Sequence, residues 1–435
     1  MNLIFITIIS VFWLVLLYYS FLTVSGLYYR TRHVEKIPSE LTSYPDVDIL
    51  IPAYNEEKVI GKTLEAVLKL EYPGNIHVYV LDDNSHDDTA EICNAFSKTF
   101  KNVHHVNVPP GYPKGKPRVL NYGIDISKSE YIAFYDADNQ PEPKSLKFLI
   151  EEAVANPKAA GAVGYVRTIN ENKNWLTRMI SLEFIVFQLL MQCGRWFIFK
   201  TGSLTGTNMV IKRAFINAAG KYDECALAED AELTIRITRN GWELPIVPDA
   251  ITWEQEPENL KILIKQRTRW LQGNLYLLEK MLSSWQFFKG KELVHTLQQI
   301  LVYLVFLVFL LISDFIFISG IMGLYNISIQ IPALMIWYVS YLIYTVQLFS
   351  ALTVEKNISP ANIFVGFILY FTYSQLFILL FFRSLFHYLR AKRKKQLYHG
   401  IKQYASDKIL MYYFNNPQRV LIFHGNILLY FCKNI

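Results

Sequence analysis

Cysteine is scarce: the chain has four in 435 residues, Cys93, Cys193, Cys225 and Cys432, with no paired spacing among them. Neither a disulfide framework nor a cysteine zinc site is indicated, and the thiols read as ordinary buried side chains kept reduced. Gly-x-Gly-x-x-Gly and Walker-type loops are missing, as are histidine clusters at metal-binding spacing, so hydride transfer and ATP hydrolysis lose support. Charge is thin as well, 18% of residues, against about 25% in ordinary soluble domains. The formal net charge of +6 is modest, and its most compact run, Arg390, Lys392, Arg393, Lys394 and Lys395, suits a membrane surface better than nucleic acid.

Apolar residues take the space, at 52% of the chain. Residues 3–29 are nearly charge-free and exceed the roughly 20 needed to cross a bilayer. They lack a basic start and a small-residue cleavage site, so they read as a retained span and not as a secretory signal. Arg30, Arg32 and His33 follow directly, and the positive-inside rule then puts the N-terminus outside and the polar body in the cytoplasm. Further apolar runs occupy 297–325, 331–354 and 361–386. Four simple crossings would return the C-terminus to the outside, against the basic run at 390–395. The last segment, opened by "ISPAN", is therefore expected to be bent or re-entrant. "LEFIVFQLLMQCGRWFIF", 182–199, is interrupted by Glu183, Gln188, Gln192 and Arg195. It is expected to be an amphipathic helix packed on the domain or the membrane, not a span. The tail beyond Gly400 gives no functional reading.

Between residues 46 and 250 the composition is that of a soluble α/β domain. "VDILIP", "IHVYVLD", "VHHVNV" and "YIAFYDAD" alternate with helical stretches, the rhythm of a parallel sheet with its working loops at the strands' carboxyl ends. Polar turns follow three of these strands. "IPAYNEE" ends the first, Asp82 and Asp83 end the second, and Asp136 and Asp138 end the last, where two carboxylates one residue apart can hold a hard divalent cation. Taken alone, Asp-x-Asp is a weak signal that more often marks a solvated turn; the acids at the other strand ends reverse that reading. After Trp253, "ENLKILIKQRTRWLQGNLYLLEKML" interleaves basic and apolar residues as an interfacial helix does. Gln266, Arg269 and Trp270 stand at i, i+3 and i+4 within it, on one face suited to an anionic, ring-shaped ligand.

These motifs, in this order over residues 46–279, resemble the processive, membrane-embedded family 2 glycosyltransferases, which include cellulose, hyaluronan and poly-N-acetylglucosamine synthases. The resemblance implies a GT-A-type α/β nucleotide-sugar domain, a mostly parallel sheet with flanking helices, inserted between transmembrane helices. It implies that Pro52, Ala53, Tyr54, Asn55 and Glu56 border the uridine and that Asp83 reads the nucleotide. Asn84 stands where the family usually has glycine, and asparagine is the side chain most tolerant of positive φ. "KGKPRVLN" resembles Gly-Lys-x-x-Ala-Leu-Asn and makes Lys116 a partner of the donor phosphate. Asp136 and Asp138 fall on the metal-binding Asp-x-Asp, for Mg²⁺ or Mn²⁺. "LAEDAEL" resembles the Thr-Glu-Asp motif, with Asp230 as general base beside Glu229 and Ala228 in place of threonine. "QRTRW" matches Gln-x-x-Arg-Trp, placing Gln266 and Trp270 at the acceptor and Arg269 near the diphosphate. Thr205, Gly206, Thr207 and Asn208 resemble the segment lining the acceptor pocket, although such residues are equally turn formers. A cyclic-dinucleotide receptor module is not found, so such control would need a partner.

The expected organisation is a transmembrane helix at 1–29, the cytosolic catalytic domain at 45–255 and interfacial helices at 256–296. A membrane region at 297–388 and a basic, apolar tail at 389–435 complete it. The leading expectation is an inverting, metal-dependent synthase in the plasma membrane. It would lengthen a β-linked exopolysaccharide from a UDP-sugar and pass it through its own helices, with accessory secretion or regulatory subunits possible and no nucleic-acid partner. A non-processive transferase acting on a lipid acceptor, and a non-catalytic scaffold that keeps the fold, are the alternatives.

Overall fold

The computed structural model describes residues 2–35, 40–283, 285–324 and 327–393. Lys394, Lys395 and the 401–435 tail lie outside them. Eight strands form one sheet: β1 (Val47–Ala53), β2 (Ile76–Asp82), β3 (Val103–Asn107), β4 (Tyr131–Phe134), β5 (Gln140–Pro141), β6 (Gly161–Thr168), β7 (Met209–Lys212) and β8 (Ile246–Glu254). Their order is β3-β2-β1-β4-β7-β6-β8-β5. The four apolar runs read from sequence are β1 to β4, all mutually parallel where they pair, and β6 runs parallel to β8. Antiparallel pairing enters at β7 and at the short β5. β1 is buried along nearly its whole length because helices cover both faces of a parallel sheet, which is why it reads as an unbroken apolar run. Its one interior charge, Asp48, accepts from the Lys128 and Ser129 amides at 2.6 and 2.8 Å and from Arg213 at 3.2 Å. A buried carboxylate is tolerable only with such partners.

Among the described residues three helical stretches are long and apolar enough to cross a membrane: Trp175–Phe199, Leu293–Ile321 and Trp337–Val354. The segment opened by "ISPAN" is two helices, Pro360–Leu369 and Tyr373–Arg393, bent by 46° at their junction. Ser359 caps the first and Pro360 occupies its first turn, a position where proline's missing N–H costs nothing.

The 182–199 stretch is half buried despite its apolarity. Gln188 explains why: its amide accepts from the Val166 N–H at 2.6 Å and donates to the Val166 carbonyl at 2.7 Å, bracing β6. The N-terminal helix Asn2–Glu35 docks on the same stretch. At the crossing a Cβ on Gly26 would sit 2.2 Å from the Leu189 carbonyl oxygen, and one on Gly194 would sit 2.4 Å from that of Leu22, so both glycines are required by the close approach. Arg30, one of the three basic residues that set the expected orientation, is only 6% exposed. It pairs with Asp249 of β8 at 2.6 Å and with Glu355 at 3.0 Å. Its charge is spent inside the protein, which leaves Arg32 as the exposed cation of that cluster among the described residues.

Candidate active site

The candidate residues sit where the parallel strands end. The turns after β1 and β2 are zipped together: the Asn55 amide donates to Ser85 Oγ at 3.0 Å, Asn55 Oδ1 accepts from the His86 amide at 2.8 Å, and the Glu56 amide donates to Thr89 Oγ1 at 2.8 Å. Ala53 is buried and Tyr54 is exposed, so the turn presents a ring to solvent while its backbone holds the sheet. Asn84 has φ +61° and donates its amide to the Val108 carbonyl at 3.2 Å. Asparagine thus stands in for glycine in the left-handed region. Asn84→Gly is expected to be near neutral, whereas Asn84→Ala should cost about 1 kcal/mol, read from thermal unfolding in detergent.

Asp83 is held by Arg118 in an ion pair, and Arg118 also donates to the Pro109 carbonyl at 2.7 Å. Sequence reasoning passed over Arg118 because an arginine in a helix's first turn carries no sign of its partner. Together the pair offers N–H donors beside a carboxylate acceptor, a pattern complementary to the carbonyl and N3–H edge of uracil. Arg118 Nε is buried and unpartnered.

Two residues earlier on the same helix, Lys116 ties the motifs together. Its ammonium pairs with Asp136, donates to the Gly206 carbonyl at 3.1 Å and lies 3.9 Å from Glu229. Burial opposes its charge, but Asp136 and Glu229 outweigh that and hold it protonated above its ordinary value. Gly206 has φ +83°, and a Cβ there would sit 3.4 Å from Lys116 Nζ and 3.5 Å from Asp230 Oδ2. Lys116, Asp136, Gly206, Glu229 and Asp230 therefore share one small space. Burial, then the charge of Glu229, pushes the Asp230 carboxyl up to about 7.

Thr207 accepts the Asp136 amide at 3.1 Å, fixing the start of the Asp-x-Asp turn. Asn208 faces inward and is fully buried, its amide donating to the Tyr165 and Ala250 carbonyls at 2.8 and 2.7 Å. It acts as the turn former this segment allowed. Thr205 stays half buried and donates to the Thr207 carbonyl at 3.0 Å.

Asp138 lies among acids. Burial, then Asp136, raises it to about 6. Glu56 is raised to about 7 by burial, then by Asp138, Asp136 and Asp87. Glu254, at the end of β8, is held well above its usual range by burial, then by Asp138 and Glu256. Glu254, which closes β8, and Glu256 just beyond it were missed in the sequence, where "WEQEPE" was the available signal. Among the described residues no three His, Cys, Asp or Glu side chains converge tightly enough to make a ready-formed metal cage. The donor set still fits a hard divalent cation: all-oxygen carboxylates that repel one another, with Lys116 the cation paired to them, and a diphosphate able to complete the shell.

Gln266, Arg269 and Trp270 ride on the helix Leu260–Leu282, which Asn259 caps by accepting the Ile262 amide. Arg269 is exposed, Trp270 is half buried, and Gln266 Oε1 is buried without a partner. One turn on, Gly273 packs against the residue before the acidic pair: a Cβ on it would meet the Ala228 Cβ at 2.7 Å. Lys280 adds an ion pair to Glu232 at 2.7 Å. The "QRTRW" helix is thus pressed onto the "LAEDAEL" helix.

Residues 45–273 match the sequence family described as glycosyltransferase-like family 2. The chain belongs to glycosyltransferase family 2. This family 2 glycosyltransferase is 37% identical over 414 residues to the Bacillus subtilis (strain 168) protein named "Probable glycosyltransferase YdaM", across 94% of this chain and 98% of that one. The poly-β-1,6-N-acetyl-D-glucosamine synthase of Staphylococcus epidermidis is 28% identical over 287 residues, 65% of this chain and 66% of its own. A β-monoglucosyldiacylglycerol synthase of Synechocystis sp. is 29% identical over 269 residues, 60% of this chain and 56% of its own. Among solved structures, a Pyrobaculum calidifontis mannosyltransferase in complex with GDP-Man and Mn²⁺ aligns over 85% of this chain with a TM-score of 0.49 and 16% identity. The family 2 glycosyltransferase has the GT-A arrangement: β3-β2-β1-β4 parallel, with acidic turns at the carboxyl ends of β1, β2 and β4.

Proposed function

We propose that this glycosyltransferase is an inverting, metal-dependent enzyme of the plasma membrane that polymerises a UDP-sugar into a β-linked polysaccharide. In this reading its catalytic domain faces the cytoplasm and its helices pass the product outward. The observation that carries the catalytic part is the convergence of Lys116, Asp136, Gly206, Glu229 and Asp230. Asp230 takes the acceptor hydroxyl's proton as that oxygen attacks C1, and the diphosphate leaves on the opposite face. Lys116 faces the departing diphosphate, and the Asp83–Arg118 pair reads the uracil. A divalent cation, held by Asp138 with Asp136, would neutralise charge on the diphosphate. The similarity to a poly-N-acetylglucosamine synthase supports polymer formation, and the apolar helices Leu293–Ile321 and Trp337–Val354 support export.

A second reading, transfer of a single sugar to a lipid, is favoured by the similarity to a monoglucosyldiacylglycerol synthase. Purified protein is to be given radiolabelled UDP-sugars with Mg²⁺ or Mn²⁺, and the product sized. A polymer supports the first reading, and a one-sugar lipid replaces it with the second. In the same assay Arg118→Met should raise the donor KM by about 10- to 100-fold, the loss of a charged hydrogen-bonded pair. An unchanged KM would remove Arg118 from the nucleotide site.

A further inference from the structure

Trp270 has one ring face already occupied. The guanidinium of Arg267, three residues earlier on the same helix, lies 4.4 Å from the centre of the indole. It also lies 5.5 Å from the ring of Phe184. Arg267 is fixed in turn, because it donates to Glu183 Oε2 at 2.7 Å. The same carboxylate oxygen accepts from the Tyr373 hydroxyl at 2.6 Å. Tyr373 opens the helix that follows the 46° bend. Arg267 Nε is buried with no partner among the described residues, so the ion pair to Glu183 is the contact that holds the guanidinium over the indole. A planar cation stacked on an indole restricts the ring's orientation, and an ammonium cannot do this in the same way.

We propose that Arg267 is a positioning residue for the acceptor. It sets the plane of the Trp270 indole, and Glu183 anchors that plane to the bent segment that Tyr373 begins. A sugar packing on the indole needs the ring at a fixed tilt, since its C–H groups must all meet one face. Arg267 touches neither donor nor acceptor in this arrangement and acts through Trp270. The inference rests on the reading of Trp270 as an acceptor contact.

The test uses the full chain in lipid nanodiscs. Two substrate pairs serve as probes, a β-1,6-linked N-acetylglucosamine pentamer with UDP-N-acetylglucosamine and dioleoylglycerol with UDP-glucose, and the pair that turns over faster is followed. Arg267→Lys keeps the charge and the reach to Glu183 but loses the plane. It should raise the acceptor KM about tenfold while the donor KM moves less than about twofold. In a Trp270→Ala background the same substitution should change the acceptor KM no further. An unchanged acceptor KM, or an equal rise with and without Trp270, overturns the proposal. Should Trp270→Ala itself leave the acceptor KM as it was, the acceptor reading of Trp270 fails and takes the proposal with it. Where the lysine variant does not fold, Glu183→Gln supplies the same comparison with about a threefold rise expected, and no rise counts against the role.

Discussion

Asp230→Asn is expected to lower kcat by roughly 10³-fold, the usual worth of a general base, or about 4 kcal/mol of barrier. Asparagine matches aspartate in shape and keeps the oxygen that accepts the Ala231 amide at 2.8 Å, so the helix start survives while the proton acceptor is lost. The variant should also be slightly more stable than the parent. Burial and Glu229 raise the folded carboxyl from 3.8 to about 7. Between those values the native state binds a proton that the unfolded state has released, so this group's contribution to stability falls as pH rises through that window. Removing the charge removes that cost, the pattern expected where function is set against stability. UDP release, polymer or lipid product and thermal unfolding are measured together. Full activity in the asparagine variant would end the assignment.

The same carboxyl predicts a pH profile. The base must be ionised, so the rate should climb about tenfold per pH unit below a midpoint near 7 and level off above it, with the midpoint taken from the raised value for Asp230. An ordinary surface carboxylate would give no such limb above pH 5. A flat profile from pH 5.5 to 8 would show that some other group takes the proton.

The parallel half of the fold was legible because its central strands are buried on both faces and read as continuous apolar runs, each closed by a polar turn. Asn84 was legible for a local reason, the tolerance of asparagine for positive φ, which the structure shows at +61°. What escaped depends on partners distant in the chain. Asp83 and Arg118 are 35 positions apart, Glu183 and Arg267 are 84, and Arg30 and Glu355 are 325. No periodicity or turn signal encodes such pairs. Glu254 and Glu256 escaped differently: their acids are visible in the sequence, but β8 comes to lie beside the Asp-x-Asp turn through its pairing with the two-residue β5, where Gln140 faces Trp253, which local pattern does not fix. Arg30 belongs with these: its place after an apolar run speaks to orientation, while its partners come from the sheet, which supplies Asp249, and from the residue that follows the helix Ile327–Val354, Glu355.

That junction carries the second large effect, Arg30→Met, expected to destabilise the protein by about 3–5 kcal/mol, the cost of leaving a buried charge without its partner. Glu355 is 6% exposed and would keep only Arg167, at 2.9 Å, while Asp249 would lose its close contact with Arg30. The network joins three parts of the chain: the N-terminal helix, the sheet through β6 and β8, and the last turn of a candidate span. Its loss should therefore separate elements and not merely soften one, and the variant should become sensitive to proteolysis between residues 40 and 47. Glu355→Gln in the same background restores neutrality at the site. If neutralisation is what matters, the double variant should recover most of the lost stability, as coupled neighbours do in a double-mutant cycle. Thermal unfolding in detergent decides it. Equal and additive losses in the two single variants would mean that the junction is held by the glycine contacts at Gly26 and Gly194 and by the Tyr29 hydroxyl, which donates to the Ile246 carbonyl at 2.6 Å, with the ion pairs contributing little.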